Sequence, residues 1–192
     1  MSVLRYALLG LISKESRTGY ELVAEFEHPI GNFWNALHSQ VYPELSQMHQ
    51  DDLINCVQVK QEGKPDKKVY SLTTKGYVVL QQWLNTFVKT PRTMRDEFML
   101  KAYFMGEVSA KSARDQFESQ LRDHEGRLQT LEESLTAFIQ DQEGGPIRTN
   151  TAEFGRWLVV WKGIMTERTY VEWCRQALHW LEVGEVRPQM FR

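Results

Sequence analysis

Two stretches of this 192-residue chain carry side chains whose types and spacing suit contact with a nucleic acid. The first is HSQVYPEL at residues 38–45, where hydroxyl, amide and imidazole groups cluster ahead of a proline. The second is GKPDKK at residues 63–68, a turn-rich segment that holds three lysines. Hydroxyl and amide groups can hydrogen-bond base edges, and lysines can bind phosphates. The two stretches therefore predict a DNA-binding surface made of a helix and a basic hairpin.

Pro43 locates the helix in the first stretch. Because proline lacks a backbone N–H, it is tolerated best in the first turn, so the helix is predicted to begin near Ser39 or Gln40. The predicted buried stripe consists of Val41, Leu45 and Met48. Ser39, Gln40 and Tyr42 then lie off the stripe, at a helix end that attracts phosphate. The alternative is that Ser39 only caps the helix and that His38 is an ordinary surface residue.

The surrounding pattern supplies the elements that would hold this helix. The predicted elements are helices at 2–12 and 18–26, the helix beginning near residue 39, strands at 53–61 and 67–72, and a helix at 73–88. Thr18 and Glu21 form a capping box for the second helix. The predicted buried face of the last helix is Tyr77, Leu80, Leu84 and Phe87. Three helices followed by a hairpin are the order of a winged helix-turn-helix.

The second half of the chain is predicted to be helical throughout. A short apolar helix at 95–106 precedes a long helix that starts at Ser109, and a return helix spans 151–183. The seam of the long helix repeats in steps of three and four: Ala110, Ala113, Phe117, Leu121, His124, Leu128, Leu131, Leu135 and Phe138. The fold class is thus mainly α, with domains at 1–90 and 91–192. The apolar faces of the antiparallel hairpin exceed what one partner helix covers, which predicts a twofold homodimer.

Net charge, cysteine content and the length of apolar runs limit the class of protein. The formal charge of −2 argues weakly against a nucleic-acid binder, but five lysines between residues 60 and 75 face only Glu62 and Asp66. Such a run is also typical of an ordinary solvated surface. Cys56 and Cys174 lie far apart in apolar patterns, which predicts free thiols in a reducing cytoplasm. No apolar run is long enough to span a bilayer, so a cytoplasmic protein without a membrane partner is expected.

Motifs of enzyme chemistry are missing from the sequence. The chain contains no Walker motif, no GxGxxG fingerprint and no HExxH or GxSxG element. The five histidines have no metal-ligand spacing with cysteines or carboxylates. We therefore expect neither catalytic activity nor a metal or organic cofactor.

Five segments, in order, resemble the PadR family of transcriptional regulators. They are LRYALLGLI, TGYE, FWNALHSQVYPEL, KKVYSLTTKG and DEFMLKAYF. The resemblance covers nearly the whole chain and is closest to the longer members, named for control of phenolic acid decarboxylase. It implies a winged-helix DNA-binding domain and a helical dimerisation domain. It also implies a repressor of phenolic-acid stress genes that a phenolic acid, such as a hydroxycinnamate, releases from DNA.

In such a regulator, a homodimer would place two recognition helices in successive major grooves of an inverted repeat of double-stranded DNA. The residues predicted to contact DNA are Tyr20, His38, Ser39, Gln40, Tyr42, Pro43, Lys64, Lys67 and Lys68. Gln40 is the best candidate to contact a base, because an amide can hydrogen-bond adenine through two atoms. The lysines would contact phosphate or the minor groove from the wing.

A phenolic acid effector needs an apolar slot, a cation or amide for its carboxylate and a donor for its phenol. The slot is expected where the two domains meet, with six candidate residues: Arg5, Phe33, Trp34, Tyr103, Arg156 and Trp157. Either arginine could face the carboxylate, and the aromatic residues could equally be interdomain core. Other functions also stay open: sensing of bulky hydrophobic drugs, activation in place of repression, and an adaptor whose winged helix binds protein.

Overall fold

The computed structural model describes residues 2–27, 36–60, 66–88, 96–142 and 145–186. The chain divides into two compact units, an N-terminal unit of Met1–Pro91 and a C-terminal unit of Arg92–Arg192. Assignment of DNA binding to the first unit and of dimerisation to the second stays a prediction.

The described helices of the N-terminal unit are α1 (Val3–Ile12), α2 (Gly19–Glu27), α3 (His38–Gln50) and α4 (Thr74–Leu84). Each contributes an apolar stripe to one core, because leucine, valine and methionine recur at three- and four-residue spacing. The core consists of Leu4, Leu8, Leu9, Leu11, Ile12, Leu22, Phe26, Val41, Leu45, Met48, Leu53, Ile54, Tyr70 and Leu80. The predicted stripe of α3, made of Val41, Leu45 and Met48, is thus buried.

A three-stranded antiparallel sheet completes this unit, in the order β1-β3-β2. Its strands are β1 (Arg17–Thr18), β2 (Ile54–Val59) and β3 (Lys67–Leu72). Strands β2 and β3 are the predicted hairpin, with Cys56 opposite Tyr70. Strand β1 was not predicted, because two residues are too few to show alternation. The helices and this wing confirm the predicted winged helix-turn-helix, with a third strand added to the wing.

The buried face of α4 differs from the predicted one. The helix ends at Leu84 and not near Val88, and of its predicted face only Leu80 is buried. Gly76 lies one turn before Leu80, and a Cβ at Gly76 would come within 2.1 Å of the backbone oxygen of Leu53. The helix therefore packs through a close backbone approach, which leaves Tyr77 exposed. Phe87 follows the end of the helix and is fully exposed.

Thr73 fixes the start of α4, which suggests a test. Its hydroxyl accepts the N–H of Gly76 and donates to the backbone oxygen of Leu53, both at 2.9 Å. Replacing Thr73 with alanine removes both bonds, so we expect the free energy of unfolding in urea to fall by about 1 kcal/mol. Thr73→Ser keeps the hydroxyl and is the control. An equal loss in the two variants would contradict the capping role.

The C-terminal unit contains α5 (Glu97–Tyr103), a 3₁₀ turn (Met105–Glu107), α6 (Ala110–Asp141) and α7 (Ala152–Val183). Side chains cap the start of each α-helix. Asp96 accepts the N–H of Phe98, Ser109 that of Ser112 and Thr151 that of Phe154. Gly184 ends α7 in the left-handed conformation that favours glycine. The two long helices begin where the sequence predicts, and α5 is shorter than predicted.

Helices α6 and α7 pack against each other as an antiparallel pair. Arg175 binds Glu125 at 2.7 Å, and Arg168 binds Glu132 at 2.6 Å. The residue with the higher number on α6 pairs with the residue with the lower number on α7, so the two helices are antiparallel. Both ion pairs are largely exposed, so each contributes little to stability. The predicted pair of long helices is confirmed.

A polar contact lies inside this helix pair. His124 of α6 is only 8 % exposed; its Nδ1 contacts the carboxylate of Glu167 on α7. The imidazole also stacks on Tyr170, with ring centroids 3.6 Å apart. Burial raises the pKa of Tyr170 to about 12, so its phenol stays neutral. The buried histidine is thus satisfied by partners on the neighbouring helix.

An aromatic cluster holds α5 against the helix pair. Phe98 of α5 meets Phe117 and Trp173 edge to face, with ring centroids 5.2 and 5.8 Å apart. Edge-to-face pairs of this kind contribute about 0.5–1.5 kcal/mol beyond the area they bury. Cys174 lies in the same cluster, where burial raises the pKa of its thiol to about 11.

Both cysteines are free thiols. Over the described ranges, no α-helix has the length and apolar character that a membrane crossing requires. In the same part of the chain, no cluster of three or more histidine, cysteine or carboxylate side chains is arranged to hold a metal ion.

Candidate nucleic-acid interface

The start of α3 is built around Gln40. The helix begins at His38, slightly earlier than predicted, so Pro43 lies in its second turn. Leu37 precedes the helix, and its apolar side chain cannot accept a hydrogen bond. The side chain of Gln40 makes the capping bond instead: its Oε1 accepts the backbone N–H of Leu37 at 3.0 Å. One lone pair of Oε1 and the amide nitrogen remain for another partner.

Exposure separates the two faces of α3. The stripe that faces the core has no exposed surface: Val41, Leu45 and Met48. The predicted DNA-contacting residues on this helix are all exposed: His38, Ser39, Gln40, Tyr42 and Pro43. The rings of His38 and Tyr42 lie 4.7 Å apart. Tyr42 also packs on α2, since a Cβ at Gly19 would come within 2.6 Å of its ring.

A cleft of about 780 Å³ opens between the start of α2, helix α3 and the wing. Four of the predicted DNA-contacting residues line it: Tyr20, Tyr42, Lys67 and Lys68. Tyr20, in the first turn of α2, is 78 % exposed. Phenol and ammonium groups donate hydrogen bonds to phosphate oxygens. The cleft thus brings two donors from the helices and two cations from the wing to one surface.

Carboxylates also border this cleft. Glu21 accepts the backbone N–H and the hydroxyl of Thr18 at 2.7 and 2.8 Å. These bonds, with smaller contributions from the charges of Lys67 and Arg17, lower the pKa of Glu21. Its carboxylate is therefore ionised at neutral pH and offsets part of the positive charge of the wing.

The third predicted lysine of the wing, Lys64, lies outside the described residues. Lys67 and Lys68 are exposed at the start of β3, opposite Val59 and Gln58 of β2. Asp66 precedes them and accepts a hydrogen bond from the Gln58 amide at 3.0 Å. The carboxylate of Asp66 is therefore held on β2.

Arg5 is already engaged within the N-terminal unit. Its Nε binds Glu44 at 2.6 Å, and its Nη1 binds Asp51 at 2.8 Å. Burial acts to lower the pKa of Arg5, but the hydrogen bonds and charges of the two carboxylates outweigh it and raise the pKa. An arginine bound to two carboxylates is a poor receptor for a third, so its predicted role with an effector loses support.

The described effector candidates of the C-terminal unit do not form one cluster. Phe33 and Trp34 lie outside the described residues. Tyr103 is exposed beside Phe104. The remaining two lie near the start of α7: Arg156, above the Phe138 ring, and Trp157, stacked between Phe154 and Trp161. Trp173, which packs on α5, lies about 24 Å further along α7. Within this unit, Tyr103 and Trp157 therefore belong to different ends of the helix pair.

Sequence patterns did not reveal two features of this surface. The contact between Tyr42 and Gly19 depends on how α2 and α3 cross, and the glycine of a TGYE segment is its only local sign. The ion pairs of Arg5 join residues 39 and 46 positions apart. An arginine on a helix as apolar as α1 could have signalled a buried partner.

Two protein families match the chain, one on each unit. Residues 8–82 match the transcriptional regulator PadR-like family, and residues 94–182 match the family described as virulence activator alpha C-term. The two matches follow each other along the chain, as the two units do.

Relatives match over nearly the whole length. The negative transcriptional regulator PadR of Bacillus subtilis (strain 168) is 38% identical over 178 residues, which are 93% of this chain and 97% of that protein. The crystal structure of B. subtilis PadR in complex with operator DNA has a TM-score of 0.84 at 36% identity, covering 94% of this chain and 99% of that one. The structure with p-coumaric acid has a TM-score of 0.80 at 34% identity, with the same coverage.

Proposed function

This chain belongs to the PadR-like family of transcriptional regulators, and from that membership we propose that it is a dimeric repressor of phenolic-acid stress genes. It is a DNA-binding regulator and not an enzyme. The finer proposal has three parts. The dimer binds an inverted-repeat operator, a phenolic acid releases it, and a gene of phenolic acid decarboxylation is under its control. The proposed location is the cytoplasm, where such a regulator would meet its operator.

The main support for the DNA-binding surface is that the exposed start of α3 lies beside the cleft. The exposed first turn of α3 has hydroxyl and amide groups that can hydrogen-bond base edges, and the exposed Lys67 and Lys68 can bind phosphates. B. subtilis PadR has been crystallised with operator DNA, and its similarity to this chain supports the same partner here. Tyr20 and Tyr42 would then orient the complex through phosphate contacts.

Exposed apolar side chains support the homodimer. The C-terminal unit exposes large apolar residues on α5 and α7: Met99, Leu100, Tyr103, Leu158, Val159, Trp161 and Met165. Surfaces of this kind are usually covered in an oligomer. A twofold dimer presents two copies of α3, so the operator is expected to be an inverted repeat with half-sites about one helical turn apart.

The effector proposal rests on the relative. B. subtilis PadR has been crystallised with p-coumaric acid, a hydroxycinnamic acid. Because Arg5 is bound to two carboxylates, Arg156 is the better candidate to face the carboxylate of such a ligand. Trp157, which follows Arg156 on α7, remains the proposed aromatic lining together with Phe33 and Trp34. Tyr103, at the other end of the helix pair, is left out of it. Release from DNA requires that the ligand bind the DNA-free arrangement more tightly than the bound one.

One experiment tests both halves of this proposal. The wild-type protein first selects an operator from random duplexes, and p-coumarate is then titrated into the protein–operator complex. We expect an inverted repeat to be enriched and the complex to dissociate at millimolar ligand or below. Cinnamate, which lacks the phenol, is the matched control and should release less protein.

The possible outcomes of this experiment test DNA binding and the phenolic effector separately. If no sequence is enriched at low salt, DNA binding is wrong and an adaptor that binds protein is favoured. If an operator is enriched but p-coumarate releases nothing at millimolar concentration, the phenolic effector is wrong and the DNA-binding proposal stands.

Two observations favour a second candidate function. Trp157 and Trp161 stack with ring centroids 5.5 Å apart, an aromatic surface suited to a bulky hydrophobic drug. The family matched by the C-terminal unit is named for a virulence activator. A regulator that senses drugs or activates transcription is therefore the alternative. A promoter fusion measured with and without this chain would distinguish activation from repression.

A further inference from the structure

A mostly buried arginine on α1 joins one carboxylate on the candidate recognition helix and a second at its C-terminal end. The Arg5 side chain is 13% exposed, and that of Glu44, its partner in the middle of α3, is 16% exposed. Its second partner, Asp51, follows the last residue of α3. The two contacts measure 2.6 and 2.8 Å, so both are short charged hydrogen bonds.

The spacing of the two carboxylates matters for the orientation of α3. Glu44 and Asp51 are about two helical turns apart and therefore lie on one face. A planar guanidinium that binds both fixes the rotation of the helix as well as its position along the axis. Other bonds tie the same end of α3 to its neighbours. Lys75 donates to the backbone oxygen of Asp51, and His49 Nδ1 lies 3.0 Å from the oxygen of Ile54.

Asp51 is not placed there for the stability of the helix itself. A carboxylate at the C-terminal end of a helix meets the negative end of the helix dipole, which is unfavourable. Its side chain is instead held by Arg5 and by the amide of Gln47 at 3.0 Å. The Arg5–Glu44 pair is the more buried of the two, and replacing a buried ion pair with apolar residues is often neutral for stability. The residue types at these positions thus suit orientation better than stability.

We propose that Arg5 is a positioning residue for DNA recognition, which sets the rotation of α3 through Glu44 and Asp51. The face that carries Ser39, Gln40 and Tyr42 then meets the base edges at a fixed angle, although Arg5 itself contacts no DNA. This inference rests on the proposed DNA-binding function of α3. It predicts that loss of the paired contact lowers specificity without removing a phosphate contact.

Arg5→Lys is the informative variant, because lysine keeps the charge but has no planar group to bind both carboxylates. The matched control is Arg17→Lys. Arg17 is 19% exposed and also binds two carboxylates, Glu15 and Glu25, but neither belongs to α3. The affinity of each full-length variant is measured for the selected operator and for a non-operator duplex of equal length, over a salt series. Thermal unfolding is followed in parallel.

We expect Arg5→Lys to lower the ratio of operator to non-operator affinity about tenfold, comparable to weakening one good base contact. The salt slope should stay unchanged, because no phosphate contact is lost. Arg17→Lys should keep the wild-type ratio even where it lowers the unfolding temperature. Asp51→Asn, an isosteric change at a more exposed position, should give a smaller loss of the ratio and serves if Arg5→Lys does not fold.

A wild-type ratio in Arg5→Lys or, where that variant does not fold, in Asp51→Asn would overturn the inference while leaving the proposed function intact. An equal loss in Arg17→Lys would also overturn it, since the effect would then follow general destabilisation. A wild-type chain that binds no DNA would overturn the proposed function and this inference with it.

Discussion

Replacing Lys64, Lys67 and Lys68 with alanine should weaken binding to operator and non-operator DNA alike, by about 100-fold at physiological salt. Lysines that contact phosphate displace counterions, so each lost contact lowers the slope of log affinity against log salt by about 0.9. Lys67 and Lys68 are exposed and line the cleft beside α3, where a phosphate backbone would pass. The measurement is a fluorescence-anisotropy titration at several salt concentrations.

The matched control removes the same charge from the C-terminal unit, through alanine at Lys101, Lys111 and Lys162. Lys101 and Lys111 are exposed and pair with carboxylates one turn away on their own helices. The control should leave the salt slope near the wild-type value. A wing variant with an unchanged slope would show that these lysines do not reach phosphate. The double variant of Lys67 and Lys68 separates their contribution from that of Lys64.

Replacing Gln40 with alanine should cost about 1–3 kcal/mol of operator affinity and change non-operator affinity little, because a good base contact contributes that much discrimination. The substitution also removes the acceptor for the N–H of Leu37. A fall in affinity alone would therefore not separate base contact from helix capping. Comparing two substitutions at this position separates them.

Gln40→Glu keeps an oxygen that can accept the N–H of Leu37, as glutamate does in a capping box, but has no N–H to donate to a base. We expect it to retain the unfolding temperature and to lose operator preference. Gln50→Ala, at an exposed position at the other end of α3, should change neither. Gln40→Glu with wild-type operator preference would leave Gln40 only its capping role.

The sequence predicted the elements of the fold well because their signals are local. Ser109 and Thr151 are N-caps whose hydroxyls accept backbone N–H groups of the following turn, and both mark the true starts of the long helices. Periodicity likewise identified the buried stripe of α3. Pro43 misplaced the start of α3 slightly, because α3 accommodates the proline in its second turn.

What the sequence could not predict depends on contacts between distant residues. The pattern of α4 did not reveal the approach of Gly76 to the backbone of Leu53. Strand β1 exists because Arg17 and Thr18 pair with Tyr70 and Val69, a contact that no short window contains. The same limit applies to the candidate site. Side-chain chemistry alone predicted that Arg5 binds a ligand carboxylate, whereas Arg5 is already bound to Glu44 and Asp51.

The contact of His124 with Glu167 and Tyr170 has a mechanical consequence. A shift of α7 along α6 by one turn, about 5.4 Å, would separate the imidazole from both partners and leave the buried imidazole and the partly buried Glu167 carboxylate without their bond. Movement of one helix past the other is therefore costly at the centre of the pair. We therefore expect a displacement at one end of these 32-residue helices to reach the other end through rotation or bending of the whole pair. We do not expect the helices to slide past each other.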